Sequence, residues 1–187
     1  MSRLRRIIAV WAAKATGFAC RITGKQGVTL AGQIALKIDP DILKELSGQV
    51  KEKIFVTCGT NGKTTTKEML ASVLSRHFCT LKTRANLNNH IGTPQTLLEL
   101  EPRHQAAVIE TGLDHFGQIR YMGSLVQPTI AVITNVGDAH IENLGGTRHG
   151  ILQAKCEIFD HLRPGGLAVL CGDDPLLNGL TLPFETL

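Results

Sequence analysis

Gly59, Gly62, Lys63 and Thr64 stand in a run from Lys53 to Met69, KIFVTCGTNGKTTTKEM, whose residue types suit a phosphate. The apolar Ile54-Phe55-Val56 stops at a turn holding both glycines, and Lys63-Thr64-Thr65 then opens a helical pattern. Strand, glycine loop and helix in that order turn backbone N–H groups toward phosphate oxygens, and the helix N-terminus adds partial positive charge. Gly59, Thr60, Asn61, Gly62, Lys63, Thr64 and Thr65 are therefore the candidate nucleotide-binding residues. Lys63 would reach the β- and γ-phosphates, and the Thr64 hydroxyl is a hard oxygen ligand for Mg²⁺. The loop opens on Thr57, where such loops usually carry another glycine. The bland alternative is a strand-to-helix turn with incidental Gly and Lys.

Around this loop the chain alternates. Helices are expected at Thr64–Phe78, from Thr93-Pro94 onward, at Gln118–Leu125 and at Thr147–Leu162. Strands are expected at Thr80–Thr83, Ala106–Ile109, Thr129–Thr134 and Leu167–Leu170, in addition to the one before the loop. Five strands alternating with helices predict an α/β domain, a mostly parallel sheet covered by helices on both faces. In such sheets ligands bind beyond the carboxyl ends of the strands. The residues just past those ends are polar: Gly59–Thr64, Asn86 to His90, Glu110, Asn135 with Asp138 and His140, and Asp173-Asp174. Glu110, beside a phosphate loop on the same sheet, can hold Mg²⁺ directly or through water. His140 is either a second metal ligand or a loop residue.

Lys155 falls in the middle of an apolar helical stripe of Ile151, Leu152, Ile158, Phe159 and Leu162. Burial favours the neutral amine, which can add CO₂ to form a carbamate able to bridge metals. The alternative is a lysine whose ammonium snorkels to solvent.

Composition narrows the class. With 43% hydrophobic and 19% charged residues the chain reads as globular rather than disordered. Aromatic content of 4% and the absence of a recognition motif argue against nucleic-acid binding. The five cysteines form no C-x-x-C pair, which argues against a zinc ribbon or disulfide framework and for a reduced, cytoplasmic chain. Residues 1–38 hold seven Lys/Arg and no acid, so the net charge of +4 leaves −3 (4 − 7) for the remainder. Residues 3–21 put Ile7, Ile8, Trp11, Ala15 and Phe18 on one helical stripe. That helix is too short to span a bilayer and makes a weak signal peptide, because Lys14 interrupts the apolar run. It either lies on a membrane surface or packs on its own protein. Residues 22–38 read as a Gly-punctuated segment and Asp41–Leu46 as a short helix, dividing the chain at about residue 50 into a basic front segment and a phosphate-loop domain, 51–187.

Six ordered motifs carry a resemblance: GTNGKTTT (59–66), ANLNNHIGTPQTLLEL (85–100), ETGLDHFGQI (110–119), VITNVGDAHIENLG (132–145), AKCEIFDHL (154–162) and CGDDPLL (171–177). Together they resemble the central ATPase domain of the Mur ligases over about residues 53–178, most closely the branch that adds D-alanyl-D-alanine to peptidoglycan precursors. That family also begins its phosphate loop with Thr. The resemblance implies ATP and Mg²⁺ as cofactors, a muramyl-peptide carboxylate activated as an acyl-phosphate, and an amine donor. It implies Lys63, Lys155 and His115 as catalytic residues, with His115 on the acceptor side. Thr64, Glu110, His140 and carbamylated Lys155 would be metal ligands. Asn86, Asn88 and Asn89 would meet the muramyl substrate, Asn89 also the nucleotide. The text GQIALKIDPDILKEL (32–46) instead resembles the opening of the Mur-ligase-like subunit of lipid II isoglutaminyl synthase. That alternative implies a lipid-linked substrate, an amidotransferase partner and peripheral membrane contact through residues 3–21. That subunit often carries a Cys₄ zinc insertion, a pattern this sequence lacks. Too few residues precede Lys53 for the usual UDP-holding domain, and the chain stops soon after Asp174. It is therefore expected to be an incomplete Mur ligase, inactive by itself. A phosphate-loop module that does not ligate remains the reading from another class, although it would need neither Lys155 nor the asparagine loop.

Overall fold

Every residue of the strand Ala106–Glu110 is buried, as expected of a strand with neighbours on both edges and helices over both faces. A computed structural model describes residues 3–22, 28–50 and 52–187. Within them α1 (Arg3–Ile22), α2 (Val28–Ile38) and α3 (Ile42–Gly48) precede β1 (Lys53–Cys58). There follow α4 (Lys63–Leu74), β2 (Thr80–Lys82), α5 (Gly92–Leu98), β3 (Ala106–Glu110), α6 (Gln118–Val126) and β4 (Ile130–Ile133). Then come α7 (Arg148–Cys156), a 3₁₀ turn (Glu157–His161), β5 (Leu167–Leu170), α8 (Pro175–Asn178) and β6 (Glu185–Thr186).

The six strands form one all-parallel sheet in the order β2-β3-β1-β4-β5-β6. β1 is central, and the chain fills one side of it with β2 and β3 before crossing to the other with β4. Right-handed crossovers then put α4 on one face and α5, α6 and α7 side by side on the other. The reversal of direction opens a crevice at the carboxyl end of β1. Register aligns its walls: Thr57 lies opposite Glu110 on β3, and Cys58 opposite Ile133 on β4. The core beneath is aliphatic, with Ile54, Val56, Ile109, Ile133, Met122 and Ile151 essentially solvent-free.

Three expectations need correction. Residues 28–38 form a helix rather than a Gly-punctuated segment; Gly32 is accommodated inside α2, where a single glycine costs only about 1 kcal/mol. The helix expected over 147–162 ends at Cys156 and tightens into the 3₁₀ turn. At that junction the Glu157 carboxylate turns away to accept the backbone amides of Gly117 (2.8 and 3.0 Å) and Arg120 (3.2 Å), capping α6. The sixth strand, β6, has two residues, too few to show any period. Residues 23–27 of the expected N-terminal segment lie outside the described residues. α3 ties into the body: Ile42 and Leu43 are fully buried, and Ser47 donates to the Leu125 carbonyl of α6 at 2.9 Å.

Candidate functional site

Gly62 is the N-cap of α4 with φ +79, a left-handed turn that glycine adopts without strain. Gly59, at φ +155, passes so close to β4's continuation that an added Cβ would lie 1.9 Å from Thr134 Oγ1. These two positions let the 59–64 loop wrap tightly over the sheet, braced from the β4 side. Asn135 Oδ1 accepts the amides of Thr60 and Asn61, both at 2.9 Å. Thr134 Oγ1 donates to the Asn61 carbonyl at 2.6 Å, and the Gly137 amide donates to Thr60 Oγ1 at 2.8 Å. Lys63 folds its ammonium back onto the carbonyls of Gly59 (2.9 Å) and Thr60 (3.1 Å), which holds a positive charge at the mouth of the loop.

On the β3 side Glu110 is nearly inaccessible. Its Oε2 accepts from Thr64 Oγ1 at 3.0 Å and its Oε1 from Asn88 Nδ2 at 2.8 Å. Thr64 and Glu110 thus bring together two oxygens of the kind Mg²⁺ takes. The pair fits that ion in chemistry: one hydroxyl on an exposed residue and one carboxylate, 3.0 Å apart. Among the described residues no three His, Cys, Asp or Glu side chains converge as a metal cluster. His140 lines the cleft, on a left-handed backbone (φ 60).

The cleft above the loop has a volume of about 320 Å³. Gly59, Thr60, Lys63, Asn88, Asn89, His140 and Lys155 all line it, alongside Asp114 and Gln118. Lys155 is only 3% exposed, and it contributes to the lining of the cleft. Burial pushes its pKa down, and the Lys63 charge adds to that against an opposing effect of Cys58. No described residue hydrogen-bonds or ion-pairs with its amine. A buried, unpaired lysine favours the uncharged form.

Other expected residues are engaged elsewhere or lie outside the lining. His115 is exposed and pairs its Nδ1 with Asp114 Oδ1 at 3.0 Å, while Asp114 rather than His115 lines the cleft. Asn89 spends its carboxamide oxygen on the amides of Ile91 (3.1 Å) and Gly92 (2.8 Å), at the start of α5. Asn86 and Thr65 are exposed and outside the cleft lining.

Sequence reasoning missed Lys67. It is completely buried on α4, four residues after Lys63, with its ammonium 3.1 Å from Glu68 Oε1, 3.2 Å from the Ala85 carbonyl and 3.5 Å from Glu110 Oε2. It joins the loop helix, the metal-side carboxylate and the start of the asparagine loop, where Ala85 itself is left-handed (φ 47). The only signal was a cation on the same helical face as Ala71. Asp174 was also unassigned. Its carboxylate accepts from Val136 (2.7 Å) and Leu176 (3.0 Å) and sits 3.8 Å from Arg148. Burial pushes its pKa up, but these amides, that of Leu177 and Arg148 outweigh it and bring the group below the usual carboxylate range. It fixes the loop that presents Asn135 and His140.

Comparison with known proteins gives a consistent family. A model described as the Mur ligase middle domain matches residues 56–182. The UDP-N-acetylmuramoyl-tripeptide–D-alanyl-D-alanine ligase of Synechocystis sp. is 50% identical over 124 residues, 66% of this chain and 27% of that protein. A crystal structure of MurF from Acinetobacter baumannii superposes with a TM-score of 0.70 at 45% identity, over 77% of this chain and 31% of that one. The MurF ligase of Thermotoga maritima in complex with ADP gives 0.73 at 32% identity, over 82% of this chain and 36% of that one. The chain spans less than a third of the length of the curated relatives it matches.

Proposed function

The chain belongs to the Mur ligase middle-domain family, and on that premise we propose that it is the ATP-handling part of a ligase of peptidoglycan precursor synthesis. The reaction is amide formation between a muramyl-peptide carboxylate and D-alanyl-D-alanine, the substrates named for the relatives. The observation that carries this reading is the gathering of Lys63, the cleft-lining asparagines and a buried, unpaired Lys155 around one 320 Å³ cleft.

In this reading the 59–64 amides and the α4 N-terminus hold the triphosphate. The γ-phosphoryl passes to an oxygen of the muramyl carboxylate, the bond to the bridging oxygen of ADP breaks, and Lys63 counters the charge that spreads during transfer. The amine then attacks the acyl carbon and inorganic phosphate leaves. Mg²⁺, when bound, supplies Lewis-acid neutralisation of phosphate oxygens. Thr64 and Glu110 would hold it, and His140, which lines the cleft, would be a further ligand. The neutral Lys155 amine would add to CO₂ and give up a proton to solvent, forming a carbamate that supplies a further anion to the cleft lining. Asn88 and Asn89 orient the muramyl substrate, and His115 guards the acceptor side through Asp114. A UDP-linked precursor makes the cytoplasm the working compartment.

The test is phosphate release by the whole gene product carrying this chain, with ATP, Mg²⁺ and either UDP-muramyl-peptide or lipid II, each with D-alanyl-D-alanine or ammonia. Release that needs UDP-muramyl-tripeptide and D-alanyl-D-alanine supports the reading. Release only with lipid II and ammonia moves the protein to the glutamate-amidating branch. No substrate-dependent release from folded protein leaves a nucleotide-binding module. For Lys155, ¹³C-labelled CO₂ gives a carbamate resonance in the native protein and none in Lys155→Met.

A further inference from the structure

α1 is buried by the wrong residues for an ordinary surface helix. Amphipathic helices normally turn their large apolar stripe to the core. Here α1 lies along α2 and buries Ala9 (0% exposed) and Ala13 (2%), small residues that let it approach closely. Thr16 on the same side satisfies its hydroxyl on the Ala12 carbonyl at 2.8 Å. The large side chains face outward instead: Ile7 is 46% exposed, Ile8 50%, Trp11 69% and Phe18 67%. At about 100° per residue these four fall within roughly one quarter to one third of the helix circumference. Lys14 borders the stripe, half-exposed.

We propose that this face of α1 docks on an anionic lipid surface, lying in the headgroup plane. Three observations favour lipid over other occupants. Residues 1–38 carry seven Lys/Arg and no acid, the charge that anionic headgroups attract. A second copy seated on the same face would bring together two segments that each carry seven Lys/Arg and no acid, a like-charge contact. Among the described residues no helix is long and apolar enough to cross a membrane, so the face rests on lipid rather than spanning it. The orientation is also workable. Lys14 Nζ lies 3.9 Å from Glu101 Oε1, in the turn before β3. That is the amino-terminal edge of the sheet, so the cleft at the carboxyl edge stays open to water. None of this depends on the ligase reading.

Trp11 is the single tryptophan of the chain and reports directly on its own surroundings. The chain is mixed with vesicles of phosphatidylcholine alone or with phosphatidylglycerol, and Trp11 emission and co-sedimentation are read. The expected result is a blue shift and about tenfold more binding to the anionic vesicles, reduced at high salt. Ile7→Ser/Ile8→Ser keeps the probe and lowers binding about tenfold or more, with thermal unfolding unchanged. Met69→Ser, an exposed apolar residue on α4, leaves binding as it was. Unmoved emission, or equal binding to neutral and anionic vesicles, overturns the proposal. A blue shift without lipid that tracks protein concentration and a dimer in sedimentation overturns it in favour of a second copy.

Discussion

Replacing Lys67 with Met removes a cation the size of the new side chain but leaves its partners behind. The Lys67 side chain is 0% exposed and that of Glu110 is 2%. After the change Glu110 keeps only two neutral donors, Thr64 Oγ1 and Asn88 Nδ2, and the Ala85 carbonyl loses its donor. The Glu68 contact matters little, because that carboxylate is 45% exposed and still pairs with Lys82. Stranding one member of a buried pair costs about 3–5 kcal/mol. Methionine recovers part of this through apolar contact and the absence of a buried ammonium, leaving a net loss of about 3 kcal/mol. For a chain of this size that corresponds to a Tm lowered by roughly 6–12 °C. Urea unfolding should show a lower midpoint at unchanged slope. Lys67→Met/Glu110→Gln removes the stranded charge, so the double variant should recover at least about 1 kcal/mol over the sum of the singles. A loss below about 1 kcal/mol in Lys67→Met, or strict additivity in the double variant, would refute the internal pairing as the reason Lys67 is buried.

Gly59→Ala should destabilise by at least about 2 kcal/mol, from the Cβ contact with Thr134 and the backbone region together. It should also abolish binding of a fluorescent ATP analogue, and retained binding at native affinity would show that the loop adapts. Glu157→Gln weakens the cap on α6 and should cost about 1–2 kcal/mol by urea midpoint; the exposed Asp160→Asn serves as the control that must cost less. His104 accepts the Glu101 amide on Nδ1 at 3.0 Å, and burial, with help from Arg103, lowers its pKa. Its contribution is therefore complete above the ordinary value of about 6.5 and lost as pH falls through the lower folded value. Stability of the native chain should drop relative to His104→Asn between about pH 7 and pH 5, and parallel curves would contradict the assignment.

Local order decided much of this protein. Lys53–Thr65 names its own chemistry because strand, glycines, lysine and hydroxyl lie within a few turns of chain, and the structure keeps that order in β1, the loop and α4. Lys155 was legible as a cation inside an apolar stripe, since helical periodicity depends only on near neighbours. Glu110 and the asparagine loop were legible as polar residues past strand ends. Only the tertiary structure could say which of them meet. That Glu110 touches Thr64 and Asn88 follows from β3 lying beside β1, a pairing between segments about fifty residues apart that no local pattern encodes. Lys67 was invisible for the same reason: its three acceptors come from α4, the loop after β2 and the end of β3. α1 shows the converse. The sequence presents one apolar stripe, yet the choice between burying Trp11 and burying Ala9 rests on packing against α2, where the buried Ala9, Ala13 and Ala35 allow close approach and leave Trp11 and Phe18 outside.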